Sequence, residues 1–143
     1  MKINTLDGER GRQRFAVVLS SDDEVNASLC SFAEKQAVVG FLSGVGAVKH
    51  ATVAFWNPAT KKYQNIEIGE QAEVLSLTGN IATTRGKPKL HAHVVLGLSD
   101  GRAVGGHLVK ATVHPTLEIL FLEAKEIPGR AKDSETGLDL LSN

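Results

Sequence analysis

The sequence predicts an α+β fold: a mixed or antiparallel β-sheet of about eight strands with one main helix. Three observations lead there. Only one segment spaces its apolar residues helically, through Val25, Leu29, Phe32 and Ala33. The other apolar runs are short and rich in β-branched residues, with Gly, Asn, Asp and Pro between them. Finally, 143 residues with 42% hydrophobic and 22% charged content match one ordinary globular domain. A single domain is therefore expected over 1–143, with 1–12 and 129–143 peripheral.

The elements follow in order. Arg14–Ser20 (RFAVVLS) reads as a strand. Ser21 and Glu24 stand three apart, as a capping box requires, and predict a helix that ends near Gln36. Val38–Leu42 is a short apolar run, and Ser43-Gly44-Val45-Gly46 punctuates it. Val48–Trp56 is β-rich, and Asn57-Pro58-Ala59-Thr60 is a turn. Tyr63–Ile68 places Ile66 and Ile68 at period two. Ala72–Leu77 continues toward Thr78-Gly79-Asn80. Arg85-Gly86-Lys87-Pro88 reads as a loop. Leu90–Leu98 and Arg102–Lys110 flank Ser99-Asp100-Gly101, and Thr116–Ala124 is the last clear strand. In the tail, Leu138, Leu140 and Leu141 are positioned to tuck against the body.

Charge and cysteine content exclude several functions. Lys plus Arg and Asp plus Glu both number 16, so the formal net charge is zero. A single neutral chain does not hold nucleic acid by bulk charge, although an assembly can still display a local basic patch. Cys30 is the only cysteine, which excludes an intrachain disulfide and a thiolate metal cluster. It reads as helix packing. No apolar run approaches the ~20 residues of a membrane span, and Met1–Asn4 carries no signal-peptide core, so a cytoplasmic protein is expected. Arg10-Gly11-Arg12 is similar to the minor-groove Arg-Gly-Arg-Pro core, but Gln13 stands in the proline's place.

The histidines carry the chemistry. His91-Ala92-His93 puts two imidazoles on one face of a strand, roughly 7 Å apart at Cα. The turn decides where His107 falls. A two-residue turn at Asp100-Gly101 places His107 opposite Val94, on the wrong face. A three-residue loop with Gly101 left-handed places it opposite His93. A bulge at Gly105-Gly106 would shift that parity. In the three-residue case, three neutral imidazoles with an open fourth position suit zinc or another divalent transition metal. Convergent histidines can also line an anion site or a subunit interface. His50 and His114 read as surface or packing residues. Glu118 interrupts the apolar run Leu117–Phe121 and is the candidate acid/base, or else an outward position on an alternating strand. Arg85, Lys87 and Lys89 form a basic loop and are the candidate nucleic-acid contacts.

Several blocks occur in a fixed order: Phe41-Leu42-Ser43-Gly44-Val45-Gly46-Ala47-Val48, Glu73 to Ile81 (EVLSLTGNI), Leu90-His91-Ala92-His93, Asp100-Gly101 and Gly105-Gly106-His107-Leu108. With Asp133–Leu140 (DSETGLDL), they closely resemble the PPC domain, the plant-and-prokaryote conserved domain. The resemblance implies a homotrimer and, for single-domain prokaryotic members, a DNA-binding or regulatory role. The plant architecture adds an AT-hook, which this chain lacks. Plant members use a Gly-Arg-Phe-Glu-Ile-Leu block for partner contact, and only Glu73 and Leu75 match it. Gly79, Asn80, Gly105 and Gly106 lie in the shared blocks.

In overall architecture the chain also looks similar to acetolactate decarboxylases. Those hold zinc with a His-x-His pair and a third downstream histidine, and His91, His93 and His107 match that arrangement. This implies a metal and two alternative roles. One is a zinc-dependent hydrolase or lyase acting on a small carbonyl or carboxylate substrate. The other is a module binding a small-molecule ligand at a subunit interface.

Overall fold

The computed structural model describes residues 1–6 and 12–142. Arg10 and Gly11 of the Arg-Gly-Arg segment lie outside them. The described residues form β1 (Lys2–Leu6), β2 (Arg14–Ser20), α1 (Val25–Gln36), β3 (Gly40–Asn57), β4 (Lys62–Ile68), β5 (Ala72–Thr84), β6 (Lys87–Gly97), β7 (Ala103–Glu123), β8 (Arg130–Lys132) and β9 (Asp139–Leu141). Seven strands make one sheet in the order β1-β2-β7-β6-β5-β3-β4, and β8 and β9 form a separate pair. Every pairing is antiparallel. Because β7 also pairs with β3, strands β3, β5, β6 and β7 close on themselves into a barrel-like ring.

Two long strands replace what the sequence divides. Val38–Leu42, the glycine punctuation and Val48–Trp56 merge into the 18-residue β3. The glycines mark close approach rather than a turn. A Cβ on Gly46 would lie 2.3 Å from the Thr116 carbonyl oxygen, and the register with β7 shifts beside it, between Gly46 and Val48. Arg102–Lys110 and Thr116–Ala124 likewise fuse into the 21-residue β7. Its first part pairs with β6 and its last part with β2.

Three further expectations are corrected. Lys2–Leu6 is an edge strand paired with β2 from Lys2↔Val18 to Leu6↔Arg14. An edge strand needs only one ladder, so this polar segment shows no apolar alternation. The helix begins later than the capping box implies: Glu24 is the N-cap, accepting from the Asn26 and Ala27 N–H groups at 3.2 and 2.7 Å. Ser21 instead pairs its hydroxyl with His114 Nδ1 at 3.1 Å. The 85–88 loop is a two-residue turn, with Arg85 and Gly86 at φ 51° and 78°, while Lys87 and Pro88 belong to β6. The helix does end at Gln36.

The helix lays Val25, Leu29, Phe32 and Ala33 into the core, and no polar or charged residue among those described is buried there. Phe32 meets Phe15 and Phe121 edge-on, with ring centroids 5.2 and 5.1 Å apart. This cluster joins helix, β2 and β7 at one point. Phe32→Ala should cost about 3–5 kcal/mol of stability by opening a cavity there. A denaturant titration reads this as a lower midpoint with an unchanged slope.

Candidate metal centre

The site starts from one loop. The Leu98 N–H donates to the Arg102 carbonyl at 2.8 Å, the Gly101 N–H to Leu98 at 2.9 Å, and Gly101 sits at φ 84°. This is the three-residue connection, so His93 lies directly opposite His107. No bulge interrupts the β6–β7 register. Gly105 and Gly106 serve close packing instead: a Cβ would meet the Val94 carbonyl at 2.4 Å or the Ala54 carbonyl at 2.7 Å. Across β5, Gly79 faces Ala92, and a Cβ there would lie 2.3 Å from the His91 carbonyl oxygen. Side-chain-free backbone on both flanks lets the histidine hairpin lie tight against its neighbours.

His91, His93 and His107 each offer one nitrogen, and these nitrogens lie within 4.8 Å of one another. Ring centroids are 5.3 to 5.7 Å apart. His91 and His107 are half-buried, while His93 is exposed. Tyr63 stacks on His107 at 4.9 Å and 27°, and Trp56 packs against Tyr63 at 5.1 Å. The tail closes the other side. Arg130 donates to Asn80 Oδ1 at 2.7 Å and to the Asp139 carbonyl at 3.0 Å, and Lys89 pairs with the Asp139 carboxylate at 2.9 Å. A cleft of about 310 Å³ results, walled by Trp56, Tyr63, Leu138 and Leu140 beside the histidines.

The electrostatics keep His91 and His107 neutral. Burial, then the positive charge of Arg130 and the neighbouring rings, lowers the His91 pKa from 6.5 to about 4. Burial likewise lowers that of His107, with His93, Lys89 and Arg130 adding to it. Both rings therefore present unprotonated nitrogen at neutral pH. His107 Nδ1 is buried without a hydrogen-bond partner.

Other sequence candidates lie elsewhere. Glu118 is an outward position of β7, exposed and paired in register with Val18 and Val45. It stands eleven residues further along β7 than His107 and is not among the residues of this chain that line the cleft. Its neighbours Leu117 and Ile119 face the core, so strand alternation explains it. Lys89 does reach the cleft, but as the ion-pair partner of Asp139. Arg85 and Lys87 are exposed at the β5–β6 turn. Glu73 and Leu75 are exposed on β5, Leu75 with 54% of its surface accessible. His50 and His114 are exposed, and Cys30 is half-buried with its thiol pKa raised by burial. Sequence reasoning missed Trp56, Tyr63, Arg130 and Asp139. Its one available signal was that the only Trp and the only Tyr bracket the same turn.

The Plants and Prokaryotes Conserved (PCC) domain matches residues 7–125. The chain belongs to this family. It is the domain that the sequence blocks resemble. Among solved structures, a protein from Bacteroides thetaiotaomicron, named only provisionally as DNA-binding, is 27% identical over 98% of this chain and 96% of its own, with a TM-score of 0.87. The metal-containing protein AF0104 of Archaeoglobus fulgidus is 30% identical over 100% and 99% of the two chains, with a TM-score of 0.85. The α-acetolactate decarboxylase of Bacillus subtilis is 11% identical, covers 90% of this chain and 60% of its own, and has a TM-score of 0.56. That last likeness shows a shared fold alone. No curated protein matches the chain. No helix among the described residues of this PPC domain is long and apolar enough to cross a membrane.

The lowered His91 pKa has a stability consequence. The folded protein binds fewer protons than the unfolded chain between pH 6.5 and about 4, so metal-free protein should lose stability as pH falls through that window. Acid melting curves of wild type and His91→Gln should diverge above pH 4, with the variant the less pH-dependent of the two. A His91 resonance titrating near 6.5 would contradict this.

Proposed function

We propose that this PPC domain is a cytoplasmic, homotrimeric DNA-binding or regulatory protein whose three-histidine site holds a divalent transition metal, zinc foremost. The observation that carries the metal reading is the meeting of His91, His93 and His107 within 4.8 Å. Two of these rings have lowered pKa values, and one holds a buried nitrogen without a partner. These residues fit a nitrogen-binding ion. The Archaeoglobus relative described as metal-containing supports the same reading.

When bound, such an ion supplies Lewis acidity and makes a coordinated water more acidic. The chain's own residues do the rest. His91 and His107 present lone pairs without first releasing a proton. Tyr63 fixes the plane of the His107 ring by stacking. The loop at Ser99–Gly101 fixes the spacing of His93 and His107.

The DNA-binding reading rests on the provisional name of the Bacteroides relative and on Arg85 and Lys87, exposed at one hairpin tip. A chain of zero net charge would depend on their repetition in an assembly, and its binding would be weak and steeply salt-dependent. Assembly is supported by an apolar outer face. Phe41 and Leu122 are register partners exposed at 51% and 43%, and Val45 and Leu120 extend the patch.

A second reading, a zinc-dependent hydrolase or lyase acting on a small carbonyl or carboxylate, is favoured by the cleft beside the histidines. The proton shuttle assigned to Glu118 drops out of it. Among the described residues, the only carboxylate lining that cleft is Asp139, which is paired with Lys89.

Elemental analysis of tag-free protein should find close to one transition metal per chain, and His93→Ala should lose most of it while keeping its oligomeric state and melting curve. Full metal content in the variant would overturn the three-histidine assignment. For DNA, a labelled duplex should shift at low salt and lose its shift as salt rises to about 0.2 M. No shift at low salt would remove the DNA-binding reading, and a monomer in sedimentation would remove the trimer.

A further inference from the structure

The charges around the cleft do not balance. Lys89 is neutralised by Asp139 through their 2.9 Å ion pair. Arg130 is not. Its guanidinium is half-buried and held by two neutral oxygens, Asn80 Oδ1 and the Asp139 backbone carbonyl. No carboxylate among the described residues forms an ion pair with it. Its Nε is buried with no hydrogen-bond partner, and a guanidinium so held keeps one spare N–H on each terminal nitrogen. A partly desolvated cation left one anion short is costly unless a ligand completes it. Imidazole is neutral or cationic, so the histidines beside it do not supply that anion.

Two further features define the ligand. Among the residues lining the cleft the spare charge is a single one, and the Asp139 carboxylate, which acts on Arg130 without forming an ion pair with it, lines the same cleft. A dianion such as phosphate would face one free cation and one repelling carboxylate. A monoanion matches the count. Trp56, Leu138 and Leu140 offer apolar walls, and about 310 Å³ is room for roughly ten water-sized groups. We infer that the cleft binds a small monocarboxylate with a short apolar body, its carboxylate on Arg130 and its other end toward the three histidines. This rests on the histidine cleft being the functional site but not on a metal being bound there.

Trp56 is the only tryptophan and lines the cleft, so its fluorescence reports occupancy. The probe is 2-methylbutyrate, titrated into zinc-free and zinc-loaded protein, with 2-methylbutyramide and inorganic phosphate as comparisons. A saturable change is expected with the carboxylate, none with the amide, and binding of phosphate at least about tenfold weaker. Arg130→Gln should weaken carboxylate binding about tenfold or more. Asp139→Asn should tighten it and narrow the gap to phosphate, because it removes the repelling charge and frees Lys89. No saturable change in either form, equal binding of amide or phosphate, or unchanged affinity in Arg130→Gln would each overturn the inference. If Arg130→Gln does not fold, Asp139→Asn decides: tightening upholds the inference, and anything else overturns it. Metal content measured on the same samples separates the two readings. One zinc per chain with no carboxylate response removes this inference and leaves the metal centre. A carboxylate response from a protein that never retains zinc does the reverse.

Discussion

The hydrogen-bonded ladder along β7 is the constraint on which the rest depends. This one strand pairs with β6 at its start, with β3 along most of its length and with β2 at its end. It closes the ring, carries His107 near one end and sets Phe121 against the helix near the other. A strand shared by three neighbours has little freedom to slip, because each partner fixes its parity independently. The bulges toward β3 absorb the mismatch between a long strand and a strongly curved sheet. The β6–β7 ladder has none, and it is there that three imidazoles need a fixed phase.

Electrostatics at the cleft follow from this placement. Beside Arg130 and Lys89, burial and like charge both oppose protonation of His91 and His107. Lone pairs are thus held ready by the fold, with no acid-base step needed first. The positive charge of Arg130 and Lys89 favours an anion in the cleft, while the unprotonated nitrogens of His91 and His107 are the groups that suit a metal cation. The aromatic pair Trp56 and Tyr63 adds rigidity, since the Tyr63 ring stacks on His107 and is itself wedged by the indole.

Much of this was legible in the sequence. The single helix, its apolar face and its end at Gln36 follow from spacing alone. The register of His93 and His107 follows from counting residues across one glycine-containing loop. What escaped was what local pattern does not encode. Glycines within β3 look like turn residues, because the strand that crowds them is 70 residues away in sequence. Pro115 looks like a strand end, yet β7 runs through it where its partners change. Glu118 stands open between an acid/base and an outward position, because a strand inside a sheet and one with a wet face read alike over five residues. Trp56, Arg130 and Asp139 were missed because they come from separate hairpins that meet only over the histidines.

The family match ends at residue 125, and the cleft does not. The imidazoles lie on strands of the ring, whereas Arg130, Leu138, Asp139 and Leu140 come from the small β8–β9 hairpin beyond it. The imidazole donors and one wall of the cleft therefore occupy separate stretches of chain. The ring tolerates little, since its glycines and ladders are locked together. The hairpin joins the ring through polar contacts, Arg130 to Asn80 and Asp139 to Lys89. Ladder hydrogen bonds thus hold the donors in phase, while the opposite wall of the cleft hangs on two polar anchors, so loosening either anchor would widen the cleft without disturbing the imidazoles.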